Sequence, residues 1–244
     1  MRKTTIDLET IERFLHQTAI GGGWKLRDED RKKARELEGL LPEIARSIEG
    51  TSSSTLVDAA CGSGWVGLAA LALLDRADLD VIGIERDAKK AERAAALRTE
   101  RFRVVTADVD DARAWPASPQ VVVALHACGA ASDHVIRRAS AAEAGAILVV
   151  PCCVARSLEV GRRAEAKAEA MGLPHAGAVR RKFVEAFVLG ARLWTMESLG
   201  YTTEAVAFVG ETVTPYNVLL RGVRRANDRS RIERAQRELG RLLS

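Results

Sequence analysis

Short apolar runs alternate with longer alanine- and leucine-rich stretches along most of this chain, and the alternation sets in after Ser52-Ser53-Ser54. The apolar runs at residues 55–57, 81–84, 103–106, 120–125 and 146–150 read as strands, and those at 203–209 and 218–221 follow in the same manner. Strands separated by helical stretches are the mark of a parallel sheet with crossover helices, so residues 51–224 are expected to form one α/β unit. Neither an internal repeat nor a low-complexity segment interrupts the series.

Residues 1–50 carry helical spacing instead, with Ile11, Phe14 and Leu15 on one face before Gly21-Gly22-Gly23-Trp24 breaks the pattern. A second helical stretch begins near Asp28 and places Ala34, Leu37, Leu41, Ile44 and Ile48 together, with Pro42 expected to kink or restart it. This segment is expected to cap the α/β unit. The glycine run with Trp24 reads either as a plain loop or as a lid that brings Trp24 to a substrate. Residues 225–244 are expected to be a basic helix.

With 244 residues, 47% hydrophobic and 29% charged, the chain suits a single α/β domain with additions. No apolar run reaches membrane-spanning length and the N-terminus lacks a signal-peptide core, so a cytoplasmic location is expected. Cys61, Cys128, Cys152 and Cys153 do not form a secreted disulfide framework, and all four are expected to be reduced thiols. The net charge of +4 is unevenly distributed. Arg221, Arg224, Arg225, Arg229, Arg231, Arg234, Arg237 and Arg241 crowd the end, suiting either a polyanionic partner or a solvated helix face.

Chemistry enters at the first strand. It ends in Asp58, turns through Ala60, Gly62 and Gly64, and continues as a helix, the opening half of a βαβ nucleotide-binding unit. Glycines let the backbone pass close to a ligand, and the helix start offers unpaired N–H groups. The letters Gly62-Ser63-Gly64-Trp65-Val66-Gly67 also fit a dinucleotide fingerprint. A carboxylate beside a pyrophosphate is repulsive, however, whereas a sulfonium with an ammonium is attracted, so Asp58 favours S-adenosylmethionine over NAD. Strand two ends in Glu85, about 20 residues beyond the turn and spaced for ribose hydroxyls, with Arg86 next to it.

The turn resembles motif I of the class I methyltransferases, with Ala60 in place of the usual first glycine, a change that costs little if its φ stays negative. That resemblance implies a Rossmann-like seven-stranded sheet with helices on both faces, whose last two strands form an antiparallel hairpin, here turning at residues 210–217. It implies that Asp108 contacts the adenine amino group with Val109 beside the base. Strand four ends in Leu125-His126-Ala127-Cys128-Gly129 followed by Ser132-Asp133. This is similar to the LHACG signature of a subfamily comprising the glutathione S-transferase C-terminal-domain-containing protein and methyltransferase-like proteins. A related stretch occurs in tRNA 2'-O-methyltransferases of the Trm-thirteen type. Val150-Pro151-Cys152-Cys153 and Thr214-Pro215-Tyr216-Asn217 add to the likeness, which covers roughly residues 50–224.

The resemblance implies a S-adenosylmethionine-dependent methyltransferase, with Leu125 among the cofactor contacts and RNA, rRNA or tRNA, as acceptor. A small-molecule acceptor and a non-catalytic cofactor-binding module are the alternatives. The Asn/Asp-Pro-Pro-aromatic tetrad of many amino-methylating enzymes is absent. His126 stands there instead, and an imidazole suits proton removal or substrate orientation near neutral pH; Asp133 is the second candidate base. Cys128 and Cys152 are expected on the substrate side, and no metal is expected, because adjacent cysteines on an extended segment face opposite ways. Arg180, Arg181, Lys182, Arg192 and Trp194 suit either phosphate and base contacts or an ordinary amphipathic helix.

Overall fold

The computed structural model describes residues 6–21, 23, 28–50, 54–97, 99–151, 158–175, 177–225 and 228–244. Two helices, α1 (Leu8–Gly21) and α2 (Asp28–Ser47), precede β1 (Ser54–Ala59), α3 (Trp65–Leu73), β2 (Leu79–Glu85), α4 (Ala88–Ala96) and β3 (Phe102–Thr106). Then come β4 (Val121–Leu125), α5 (Ala131–Ala141), β5 (Ala146–Val150), α6 (Glu159–Ala170) and α7 (Ala178–Ser198). The hairpin β6 (Tyr201–Ala207) and β7 (Val218–Arg224) and the helix α8 (Arg229–Leu243) complete the order. The strands form one sheet ordered β3-β2-β1-β4-β5-β7-β6, parallel except for β7, which runs antiparallel to both neighbours. This is the seven-stranded Rossmann-like methyltransferase arrangement that the strand pattern and motif I led one to expect.

Strands buried on both faces need apolar side chains at every position, and β4 and β5 are buried throughout. Leu56, Val81, Val121, Val123 and Leu148 point to one face, where Ile11, Leu15, Leu37, Leu41 and Ile44 of α1 and α2 pack beside α3. Val57, Ile82, Val122, Ile147 and Val149 point to the other, against Val135, Ile136 and Ala139 of α5 and Met196 of α7. The first two helices therefore roof one sheet face. Pro42 lies inside α2, which continues to Ser47 rather than restarting. A proline in a helix costs about 3 kcal/mol, but Leu40, Leu41, Ile44 and Ile48 around it are all buried, at about 1.5–3 kcal/mol for each such side chain.

Two basic positions that suited either phosphate contact or an ordinary helix turn out to be internal struts. Arg180 is buried and donates to Glu165 Oε2 at 2.7 Å and to the Leu173 carbonyl, while Arg192, 3% exposed, donates to Asp133 Oδ1 at 2.8 Å and to the Gly129 carbonyl. Buried guanidinium groups survive only when so partnered. At the C-terminal side, Arg221 pairs with Glu43 and Glu204, and Arg224 with Glu143. Arg229, Arg234 and Arg237 of α8 are exposed and form no ion pair among the described residues. None of the described helices is long and apolar enough to cross a membrane.

Candidate active site

At the carboxyl ends of β1, β2 and β4, where the strand order reverses direction, lies a cavity of about 570 Å³. Asp58, Ala60, Cys61, Gly62 and Ser63 from the first turn line it, with Glu85, Arg86 and Lys90 from the second, Asp108 and Val109 from the third, and Leu125, His126, Ala127 and Cys128 from the fourth. Lys32, Lys33 and Glu36 of α2 and Trp65 of α3 close it from the roofed face. Sequence reasoning missed these four.

Asp58 is 1% exposed and its Oδ2 accepts the Gly67 N–H at 3.0 Å, so the first turn of α3 is tied to the end of β1. Burial pushes its carboxyl up to about 7, against the pull of that hydrogen bond and of Lys33. Glu85 grips two backbone amides at 2.8 Å each, Gly62 N–H through Oε2 and Asp87 N–H through Oε1. Each carboxylate oxygen has a second lone pair, so the grip leaves acceptor capacity toward the cavity. Asp108 caps its own turn by accepting from Asp110 N–H at 2.9 Å and lies 3.7 Å from Arg86 Nη1. Val109 is buried in the cavity wall, its carbonyl accepting from Trp115 Nε1 at 2.9 Å.

The glycines divide their labour. Gly62 lines the cavity at φ 58°, and a Cβ there would meet only open space, so it is the left-handed backbone and not crowding that calls for glycine. Gly64 does not line it; a Cβ there would come within 2.8 Å of Phe102, and one at Gly67 within 2.7 Å of Val81. The absence of a Cβ at both lets α3 seat closely on the sheet.

Ala60 sits at φ 58°, so the condition under which alanine replaces glycine at little cost is not met. The chain must turn back on itself beneath the cavity, and a left-handed alanine costs about 1–2 kcal/mol. Ala60→Gly is therefore expected to stabilise the protein by about 0.5 kcal/mol, the relief of that strain exceeding the extra entropy of an unfolded glycine. A lower melting temperature in the variant would contradict this.

His126 is also left-handed, at φ 66°, and its N–H donates to the Val150 carbonyl at 2.9 Å. Strain of this kind at a non-glycine residue marks functional sites. Its Nε2 lies 2.8 Å from Glu36 Oε1, and Lys33 Nζ lies 3.0 Å from Glu36 Oε2. Asp133 is elsewhere: it faces Arg192 and borders a separate cavity among α5, α6, α7 and α8. Its carboxylate is held there by the Arg192 guanidinium at 2.8 Å.

Cys61 is a free thiol wedged against Gly83, and burial beside Asp58 and Glu85 pushes its titration up, so it stays protonated. Cys128 is disulfide-bonded, which corrects the expectation of four reduced thiols. Leu125 and Val150 are paired at the ends of β4 and β5. Trp24, Cys152 and Cys153 lie outside the described residues. No group of three or more metal-ligating side chains occurs among the described ones.

Residues 32–159, more than half of the chain, match the model of a family described as a methyltransferase domain, and the protein belongs to that family. It is an S-adenosylmethionine-dependent methyltransferase. No curated protein sequence matches the chain. Among solved structures it is similar to a putative caffeoyl-CoA O-methyltransferase from Staphylococcus aureus, at 13% identity and a TM-score of 0.50 over 89% of this chain and 92% of that one. It is also similar to a chain of a fibrillarin/Nop5p complex, at 11% identity and a TM-score of 0.50 over 78% and 82%. At such identities the likeness shows the fold alone.

The cavity fits this cofactor by its own chemistry. A buried carboxylate at Asp58 suits the cationic methionyl end, the open space at Gly62 suits a close approach, and Glu85 retains lone pairs for a ribose diol.

Proposed function

We propose that the protein methylates RNA and that the cofactor lies across Asp58, Gly62, Glu85 and Asp108, with Ala60, Arg86, Val109 and Leu125 completing its walls. The acceptor then enters from the side of His126, Lys33 and Glu36. Bound S-adenosylmethionine supplies a methyl group on a positively charged sulfur, whose transfer is an in-line displacement. The protein's part is mainly to align the acceptor and to exclude water. The subfamily motif at Leu125–Gly129 supports the same reading.

The observation that carries RNA over a small metabolite is the charge at the cavity mouth. Lys32, Arg86 and Lys90 all line it and are all exposed, a cationic collar around an acidic interior. Acids inside suit a cationic cofactor, and cations outside suit a phosphate backbone. The exposed arginines of α8 extend the basic surface.

The test is binding and methyl transfer with labelled cofactor on separate RNA and metabolite pools. The double variant Lys32→Glu/Lys90→Glu is expected to weaken RNA binding by at least about tenfold and to flatten its salt dependence by about 1.4 in logarithmic slope, as for two lost phosphate contacts to a single strand. Affinity for S-adenosylhomocysteine should hold. Label appearing in the metabolite pool, or RNA binding indifferent to the two reversals, would favour a small-molecule acceptor.

A further inference from the structure

We infer that Glu36, on α2, is a positioning residue for methyl transfer: through its hydrogen bond to His126 it fixes the imidazole at the acceptor side of the cavity. This rests on reading the cavity as the methyl-transfer site, but not on RNA being the acceptor.

Glu36 stands among the buried Ala34, Leu37, Leu40 and Leu41 and is itself 2% exposed. An acid in such a position is retained only at a cost, unless its charge is met. Here it is met twice, by His126 Nε2 at 2.8 Å and Lys33 Nζ at 3.0 Å, and all three side chains line the cavity. Burial pushes the Glu36 carboxyl up, yet the hydrogen bond from His126 and the charge of Lys33 outweigh it and hold the group below its ordinary value. Glu36 is therefore anionic at neutral pH. An anionic oxygen at this distance requires a hydrogen on Nε2, so the carboxylate selects the tautomer as well as the direction of the ring.

The backbone points the same way. A packing histidine at the end of β4 needs no left-handed residue, whereas the turn at φ 66° carries the ring from the strand end to α2. The strained backbone and the buried acid sit on elements 90 residues apart in sequence and converge on one hydrogen bond. Glu36 acts through His126, which makes it a positioning rather than a catalytic residue.

The experiment compares wild type, Glu36→Gln, His126→Ala and the double variant by thermal melting, calorimetry with S-adenosylhomocysteine, and single-turnover methyl transfer to whichever acceptor pool takes label. Glu36→Gln should keep the dissociation constant within about twofold and lower the single-turnover rate by roughly tenfold or more. The double variant should be no slower than His126→Ala, because both changes remove one device. A merely structural strut would instead lower melting temperature and cofactor affinity together, or give additive losses, and either result would overturn the inference. Nitrogen-15 spectra of the histidine rings add a readout that needs no acceptor. His126 should be the Nε2–H tautomer in the wild type and a mixture in Glu36→Ala; an Nδ1–H ring in the wild type would overturn the assignment even if transfer were observed. Absence of transfer to every pool would count against the methyl-transfer reading, and the ring spectra would still decide whether Glu36 governs His126.

Discussion

Replacing Asp58 with asparagine is expected to stabilise the cofactor-free protein above neutral pH while weakening its affinity for S-adenosylmethionine by about 10- to 100-fold. Burial pushes the carboxyl up to about 7 from its ordinary value of 3.8. The folded state therefore binds an extra proton between those values. The stability contributed by this group is complete below about pH 4 and is lost as pH rises through 7, up to a few kcal/mol. Asparagine carries no charge to desolvate and can still accept the Gly67 N–H, so its melting temperature should exceed that of wild type at pH 8 and not at pH 4. The cationic end of the cofactor loses a charged acceptor worth about 1.5–3 kcal/mol. In the wild type, binding must displace the proton, so affinity should fall nearly tenfold per unit below pH 7, whereas the variant should be flat. Scanning calorimetry and titration calorimetry across pH 5–8 check both halves. A pH-independent affinity in the wild type would show that Asp58 does not meet the cofactor's charge.

Glu85→Ala is expected to weaken binding of S-adenosylhomocysteine by about 1–3 kcal/mol, or about 5- to 150-fold. Two effects add. A ribose diol loses a charged acceptor, and the Gly62 and Asp87 amides that Glu85 now holds lose theirs, which loosens the glycine turn and the start of α4. Glu85→Gln keeps one acceptor oxygen and should recover part of the loss. An unchanged dissociation constant in the alanine variant would reduce Glu85 to a strut between two loops.

Much of this was readable along the chain because its causes are local. Parallel strands buried on both faces must be continuously apolar, so the central β4 and β5 appear in the sequence as uninterrupted apolar runs. Ligands sit outside the carboxyl ends of such strands, so Asp58, Glu85, Asp108 and His126 could be picked out by standing at or just after a strand end. What the sequence left open depends on where the chain folds back. The letters of the glycine turn do not tell that Gly62 faces a cavity while Gly64 faces Phe102, since that is decided by a strand packed beneath the helix. The sign of φ at Ala60 and His126 follows from the direction each segment must leave its strand. That Asp133 pairs with Arg192, 59 residues away, shows only in the fold. Glu36 carried no signal at all, because an acid in an amphipathic helix is ordinary until its helix is laid against the strand that ends in His126. Periodicity reports which faces are buried, and only tertiary contact reports which charges those faces bring together.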